Sequence, residues 1–426
     1  MGGKTGILKK AGKKEKKNNP AQIFCILMCV SLICLVFLFL FTNGKTMDHF
    51  FFWDTADSGM DFFNSIRYIW GRWPYKLYST LYPPLANLFF LLMYAFVPRE
   101  ITDTWGQDAS IRRTELDLRT YQCGFMLYMI VVIVSLAILV ALAYKYMNEK
   151  NIKYAGAVSM LFCFSYGSLY AVERGNIILL TAGLSLFFIV FYRSENRILK
   201  ELALISLAIA AGFKLYPAFL GVLLLKEGDK KVIFRTILYG ILGVVMPCFA
   251  FREGLEAIPL WLEVLSEFGS DSVQPWFGNG IDCALANAAH LLDLILNTNL
   301  AAISWKYVAY AIALIFLAAA FFMDKLWESV LALTFVMLFQ SQADYFYCMS
   351  LIPLLLFLTE EKKITKENII PFVIMMCMVL PFPLLYCEDE FYPRDILIHV
   401  SVFVLLFRDI AIVVPKMRRH RNEAGS

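Results

Sequence analysis

Charge is what this sequence has least of. Only 17% of its 426 residues are Asp, Glu, Lys or Arg, against 59% hydrophobic and 15% aromatic, and the mean hydropathy is +0.63. A soluble domain covers itself with about 25% charged residues, so the shortfall excludes a water-soluble globular protein and makes a bilayer the solvent. Net charge is nearly absent too, at +4, and the basic residues fall in short clusters between apolar runs. That pattern orients helices in a membrane and builds no nucleic-acid surface, so nucleic acid is excluded as a partner. Histidine is scarce: His49, His290, His399 and His420 are scattered. Neither CxxC nor a Cys/His cluster occurs among the ten cysteines, so no zinc site is expected. Cys25, Cys29, Cys34, Cys123, Cys163, Cys248, Cys348 and Cys377 fall in or beside apolar stretches, as free thiols acting like small apolar side chains. No small-residue cleavage site follows the first apolar run, residues 21–41, which is also too long for a signal-peptide core. It reads as a retained helix. Internal repeats are lacking as well.

What the sequence does hold is a succession of apolar runs. A hydrocarbon core ~30 Å thick needs ~20 apolar residues per helix, leaving room for roughly ten to thirteen crossings. Seven lysines in residues 1–20 assign that tail to the cytoplasm. Residues 43–120 then form a large outer loop, with the apolar piece 85–97 lying in it as a juxtamembrane helix. Crossings are expected at 121–147, 154–172 and 177–192, with a tight outer turn at Glu173 to Asn176. The run 201–225 is broken at Gly212 and Pro217 and reads as two short helices forming a hairpin, Lys214 near its tip. Residues 232–251 lead to a second outer loop, 252–304, whose Trp261 and Trp276 suit an interface. Further spans lie near 306–323, 326–340, 345–358, 368–386 and 395–414, before a basic cytoplasmic tail at 416–426. The expected fold is all-α: one polytopic membrane domain over 21–415 with about twelve transmembrane or re-entrant helices, in the plasma membrane, both termini cytoplasmic.

The polar residues of the outer side collect in a few places. The first outer loop carries Asp54, Asp57 and Asp61 beside aromatic residues. Asp54 and Asp57 read equally well as helix caps. Asp61 precedes Phe62, Phe63, Ile66 and Ile69, an amphipathic stretch that lies along a membrane surface and holds its carboxylate at the interface. A carboxylate so placed can take a proton from an acceptor hydroxyl, as sugar transfer requires of a general base. The turn at Glu173 and Arg174, the Lys214 tip and the turns near 342–347 and 388–394 are assigned to the same side and can converge with Asp61. A departing phosphate needs positive charge, which Arg174, Lys214 or Arg394 can supply. For Arg174 and Arg394 the plainer reading is an interface residue, and Glu173 reads as a local ion pair with Arg174. An ionisable Lys214 inside an apolar run reads as functional. Asp57, Tyr82, Asn176, Tyr216, Gln342, Asp344 and Tyr345 are assigned to substrate. No cofactor is expected, and a divalent metal, for which Asp54 and Asp57 are the candidates, is not.

Asp61-Phe62 in the first outer loop, residues 71–75 (Gly-Arg-Trp-Pro-Tyr), Tyr82-Pro83-Pro84-Leu85, Gly175-Asn176-Ile177 and residues 212–217 together resemble glycosyltransferase family 87. That family of the GT-C superfamily uses polyprenyl-phosphate sugars and includes mannosyltransferases. The resemblance runs from about residue 54 to 231. It implies Asp61 as catalytic base, inversion at the anomeric carbon, a polyprenyl-phosphate donor of mannose or another hexose or pentose, and a glycan or glycolipid acceptor in the cell envelope. Similar enzymes often carry a functional histidine in a late outer turn. This chain has Gln342 and Asp344 there, either of which would take that role. A transporter or flippase of lipid-linked saccharides is the main alternative, and would be expected to show internal repeats; a polysaccharide polymerase would use the same kind of donor.

Overall fold

The computed structural model of the chain describes residues 19–45, 58–107, 118–270, 279–339, 343–381 and 393–424, and among these the secondary structure is helical, with no strand. Local signals set many helix ends. Helix α1 (Pro20–Phe41) starts where the Asn19 side chain accepts a hydrogen bond from the Ala21 amide at 2.9 Å, with proline in the first position. Segment 43–120 contributes α2 (Met60–Arg67), α3 (Pro84–Ala95) and α4 (Arg99–Gln107), ahead of the long α5 (Gln122–Glu149). The expected juxtamembrane helix is therefore one of three.

The expected span 154–172 is not continuous. It consists of α6 (Ala155–Leu161) and α7 (Tyr166–Arg174), joined by a 3-10 turn and bent by 44° at Ser165. No proline marks this break. Serine hydroxyls compensate it: Ser165 Oγ accepts from the Ser168 amide at 3.3 Å and donates to Ser168 Oγ at 2.8 Å, and Ser168 Oγ donates to the Phe162 carbonyl at 2.9 Å. Then come α8 (Ile178–Phe191) and α9 (Arg197–Phe213). The broken run at 212–217 has a full-length first arm rather than a short one, because Asn196 caps α9 five residues after α8 ends, ahead of residue 201. Its second arm is the 3-10 stretch Tyr216–Gly221 followed by α10 (Val222–Glu227).

Asp229 caps α11 (Lys230–Cys248). Segment 252–304, expected as a loop, contains α12 (Ala257–Ser270) and α13 (Ile281–Leu296), with Trp276 outside the described residues. The chain ends with α14 (Lys306–Phe322), α15 (Leu326–Met337), a 3-10 stretch Asp344–Ser350 leading into α16 (Leu351–Glu360), α17 (Ile369–Val379) and α18 (Pro393–Ala424).

Among the described residues four helices are long and apolar enough to cross a membrane: α1, α5, α11 and Ile396–Arg418 of α18; the bent α6/α7 pair makes a fifth if it is one span. Helices α3, α8, α14, α15 and α17 are apolar but shorter. Large apolar side chains face outward along the long helices, among them Ile33 and Leu40, Ile130 and Ile133, Phe234 and Ile241, as suits a surface solvated by lipid. Lipid is as apolar as leucine, so close packing rather than the hydrophobic effect holds such helices together. Trp327 meets Phe357 edge-on at 5.0 Å, and Phe316 meets Phe335 at 5.5 Å. Gly167 lets α7 approach residues 347–348 so closely that a Cβ there would stand 2.4 Å from the Cys348 amide nitrogen.

One end of the bundle is stitched by ion pairs. Arg193 binds Glu227, Lys325 binds Glu361 at 2.5 Å, Lys416 binds Asp324 at 2.6 Å, and Lys226 donates to the Met323 carbonyl. The opposite ends of α7, α9 and α15 meet the segments from 43–120 and 252–304.

Candidate active site

That second end holds the residues of interest. Helix α2 begins at Gly59, which adopts φ +74° and donates its amide to the Glu173 carbonyl at 2.6 Å. Gly175 closes α7 with φ +68°, and a Cβ on it would lie 2.8 Å from the Gly59 carbonyl oxygen. Glycine is required here both by the left-handed conformation and by the close approach. The contact brings the first turn of α2 against the last turn of α7. Asp61 Oδ1 accepts from Arg174 Nη2 at 3.1 Å, and Oδ2 accepts from Asn176 Nδ2 at 2.7 Å. Asn176 is itself fixed, because its Oδ1 caps α8 by accepting from the Ile178 amide at 3.0 Å. The same Nδ2 stands 3.5 Å from the Tyr82 hydroxyl.

Lys214, at the end of α9, lies between two aromatic faces, its Nζ 4.6 Å from the Tyr82 ring and 5.2 Å from the Tyr345 ring. Cation–π attraction holds an ammonium in such a place without a carboxylate in direct contact. Six of the expected residues thus share one site: Asp61, Arg174, Asn176, Tyr82, Lys214 and Tyr345. Tyr216 is adjacent, its ring 5.2 Å from Phe346 and its hydroxyl buried with no hydrogen-bond partner among the described residues. Asp344 accepts a short hydrogen bond from the Tyr166 hydroxyl and one from Asn279 Nδ2 at 3.4 Å, next to Tyr345 in the chain. Asp54, Asp57 and Gln342 lie outside the described residues, as does the side chain of Arg394. Glu173 was expected as a local partner of Arg174; its Oε1 accepts from Ser58 Oγ at 2.7 Å, while Arg174 turns to Asp61. Among the described residues no three of His, Cys, Asp or Glu gather as a metal site would need.

Several residues not foreseen from sequence complete the site. Tyr166 and Tyr170 stack at 6.1 Å, and Tyr170 lies 6.3 Å from Tyr345, so α7 lines the site with tyrosines. The Leu81–Tyr82 backbone is clamped from segment 252–304 and from its own loop. Trp261 Nε1 donates to the Leu81 carbonyl at 3.2 Å, and the Tyr82 carbonyl accepts from the Tyr75 hydroxyl at 2.9 Å and Asn87 Nδ2 at 3.3 Å. Glu253 Oε1 in turn accepts from the Tyr75 and Lys76 amides at 3.0 and 2.8 Å. Burial pushes the Glu253 carboxyl up, and these amide bonds reverse only part of that shift. Beside Lys214, an apolar groove of about 530 Å³ runs between α3 and α9, lined by Leu85, Leu88, Phe89, Leu92, Ile209 and Phe213 among others.

Residues 80–343, more than half of the chain, match the family model of glycosyltransferase family 87. Tyr82, Arg174, Asn176 and Lys214 fall inside the match; Asp61 precedes it and Asp344 and Tyr345 follow it. No curated protein and no solved structure matches the chain.

Proposed function

Because this chain belongs to glycosyltransferase family 87 and is thereby a membrane glycosyltransferase, we propose that it moves a hexose or pentose, with mannose the first to test, from a polyprenyl-phosphate donor to a glycan or glycolipid acceptor of the cell envelope. In this reading residues 21–415 form one GT-C-like domain of about twelve transmembrane or re-entrant segments in the plasma membrane. Both termini are cytoplasmic, and the Asp61 end faces outward.

The observation that carries the reading is a carboxylate held by two donors within a site that also contains two cations and opens beside an apolar groove. Asp61 and Arg174 keep about a fifth of their side-chain surface accessible, so small groups can reach both. The acceptor hydroxyl loses its proton to Asp61 as its oxygen attacks the anomeric carbon from the face opposite the phosphate. The carbon–oxygen bond to phosphate breaks, and the configuration inverts. Lys214 and Arg174 draw the charge that accumulates on the leaving phosphate. A phosphate leaves as an anion and needs no acid, which fits one base and two cations. The groove lined by Leu85, Phe89 and Phe213 adjoins Lys214 and suits the first isoprene units of the donor. Tyr82, Tyr345 and Tyr216 frame the sugar, and Asp344, oriented by Tyr166 and Asn279, accepts from its hydroxyls. Arg394, Asp57 and Gln342 belong to the same proposal as further substrate contacts.

The test is to incubate purified protein with a panel of polyprenyl-phosphate sugars and an acceptor extract, and to follow release of free polyprenyl phosphate. Release with one sugar and transfer to an extractable glycan would support the reading. Translocation of intact lipid-linked sugar without release would replace it by a flippase.

A further inference from the structure

The end of the bundle remote from Asp61 carries a second charged cavity that the transfer reaction does not use. Helices α9 and α11 pack side by side, and a cleft of about 980 Å³ opens between their first turns. Five cations line it: Arg197, Lys200, Lys230, Lys231 and Arg235. Three carboxylates are also present, and two are already engaged. Glu201 accepts from Arg235 Nη1 at 2.5 Å and from the Tyr239 hydroxyl, and Asp229 accepts from the Lys231 and Val232 amides at 3.0 and 3.2 Å. Arg197, Lys200, Lys230 and Lys231 have no ion-pair partner among the described residues, and the five cations of the lining exceed its three carboxylates by two. The cleft therefore holds an excess of unneutralised positive charge.

Its surroundings say what kind of anion fits. Exposed apolar side chains run away from the cleft along both helices at one-turn spacing: Ile198 and Leu202 on α9, Phe234, Leu238 and Leu242 on α11. A soluble anion would make no use of them. An amphiphile with a negative head and two hydrocarbon tails would use both features, the cations as charge-assisted donors and the apolar ridges as a bed for the tails. We propose that this cleft binds an anionic phospholipid of the adjacent leaflet, its phosphate among Lys200, Lys230 and Lys231 and its acyl chains along Phe234 and Leu238.

The experiment uses full-length protein in a zwitterionic detergent, titrated with fluorescent phosphatidylglycerol or fluorescent phosphatidylcholine, with soluble glycerol phosphate as competitor. The expected result is saturable binding of phosphatidylglycerol only, with glycerol phosphate a poor competitor. The triple variant Lys200→Gln, Lys230→Gln, Lys231→Gln should bind it roughly a hundredfold more weakly, at about a fivefold loss per charge, with an unchanged melting temperature. Phe234→Ser should weaken the lipid too. Equal binding of both lipids, or full binding by a folded triple variant, overturns the proposal. So does displacement by glycerol phosphate as effective as by unlabelled phosphatidylglycerol, which would make the cleft a soluble-anion site. The competition arms use unaltered protein, so they decide the matter even if the triple variant does not fold.

Discussion

Asp61 and Arg174, 113 residues apart, meet at 3.1 Å because two glycines, Gly59 and Gly175, let the turns that carry them touch. The guanidinium is thus a neighbour of the carboxylate before any substrate arrives. Asp61→Asn keeps the shape and the Asn176 contact but removes the proposed base. Transfer should fall by about 10²–10⁴-fold, the usual contribution of general-base catalysis, while expression and melting temperature stay near those of the parent. Parent-level release of polyprenyl phosphate by this variant would remove the assigned base.

Lys214→Met retains an unbranched apolar stem between Tyr82 and Tyr345 but discards the charge. Donor use should suffer most, with kcat/KM for the donor reduced about 10²-fold, on the scale of losing one charge-stabilising donor. The KM for the acceptor should move little. Unaltered donor kinetics would end the phosphate role of this lysine.

Gly175→Ala tests the contact between turns. The new Cβ meets the Gly59 carbonyl at 2.8 Å in a left-handed conformation, and such strain costs on the order of 1–3 kcal/mol. A lowered melting temperature and loss of transfer together are expected. A fully stable, fully active Gly175→Ala would show that α2 and α7 need not touch.

Glu253→Ala releases the amides of Tyr75 and Lys76, and the buried Tyr75 donor left without its partner costs about 1–3 kcal/mol. Tyr82 stands at the end of the same loop, so kcat should fall in the folded enzyme as well. An undiminished rate would separate the clamp from the site.

Acid stability is expected to depend on Glu361. Burial pushes its carboxyl up, but hydrogen bonds from Lys325, Trp327 and Asn368 outweigh burial and leave it lower than usual. A carboxyl lowered on folding contributes stability that is complete above its unfolded value, about 4.3, and disappears as pH falls through the folded value. Melting temperature should therefore drop below about pH 4.3, and Glu361→Gln should flatten that drop. An identical acid profile in the variant would count against the linkage.

Much of this architecture is legible in the residues. Apolar runs and basic clusters give the order of the helices, Lys214 declares itself as a charge in an apolar run, and Asp61 by the amphipathic stretch behind it. Other parts leave no local mark. Ser165 bends a helix pair without proline, because the compensation lies in hydroxyls three residues apart. Tyr166 and Tyr170 are two of 21 tyrosines, and only packing against residues 344–345 distinguishes them. Helices α12 and α13 are amphipathic, but neither is an apolar run long enough to read as a crossing, so a search for membrane spans leaves both inside a loop.

The site's residues also come from distant parts of the chain, with Asp61 near the start and Tyr345 near the last quarter. During synthesis the ribosome delivers Asp61 long before the Tyr345 ring that packs against Lys214. A nascent or truncated chain lacking the segment Asp344–Ser350 holds an incomplete cage, so competence for transfer arises only once late insertion has been achieved.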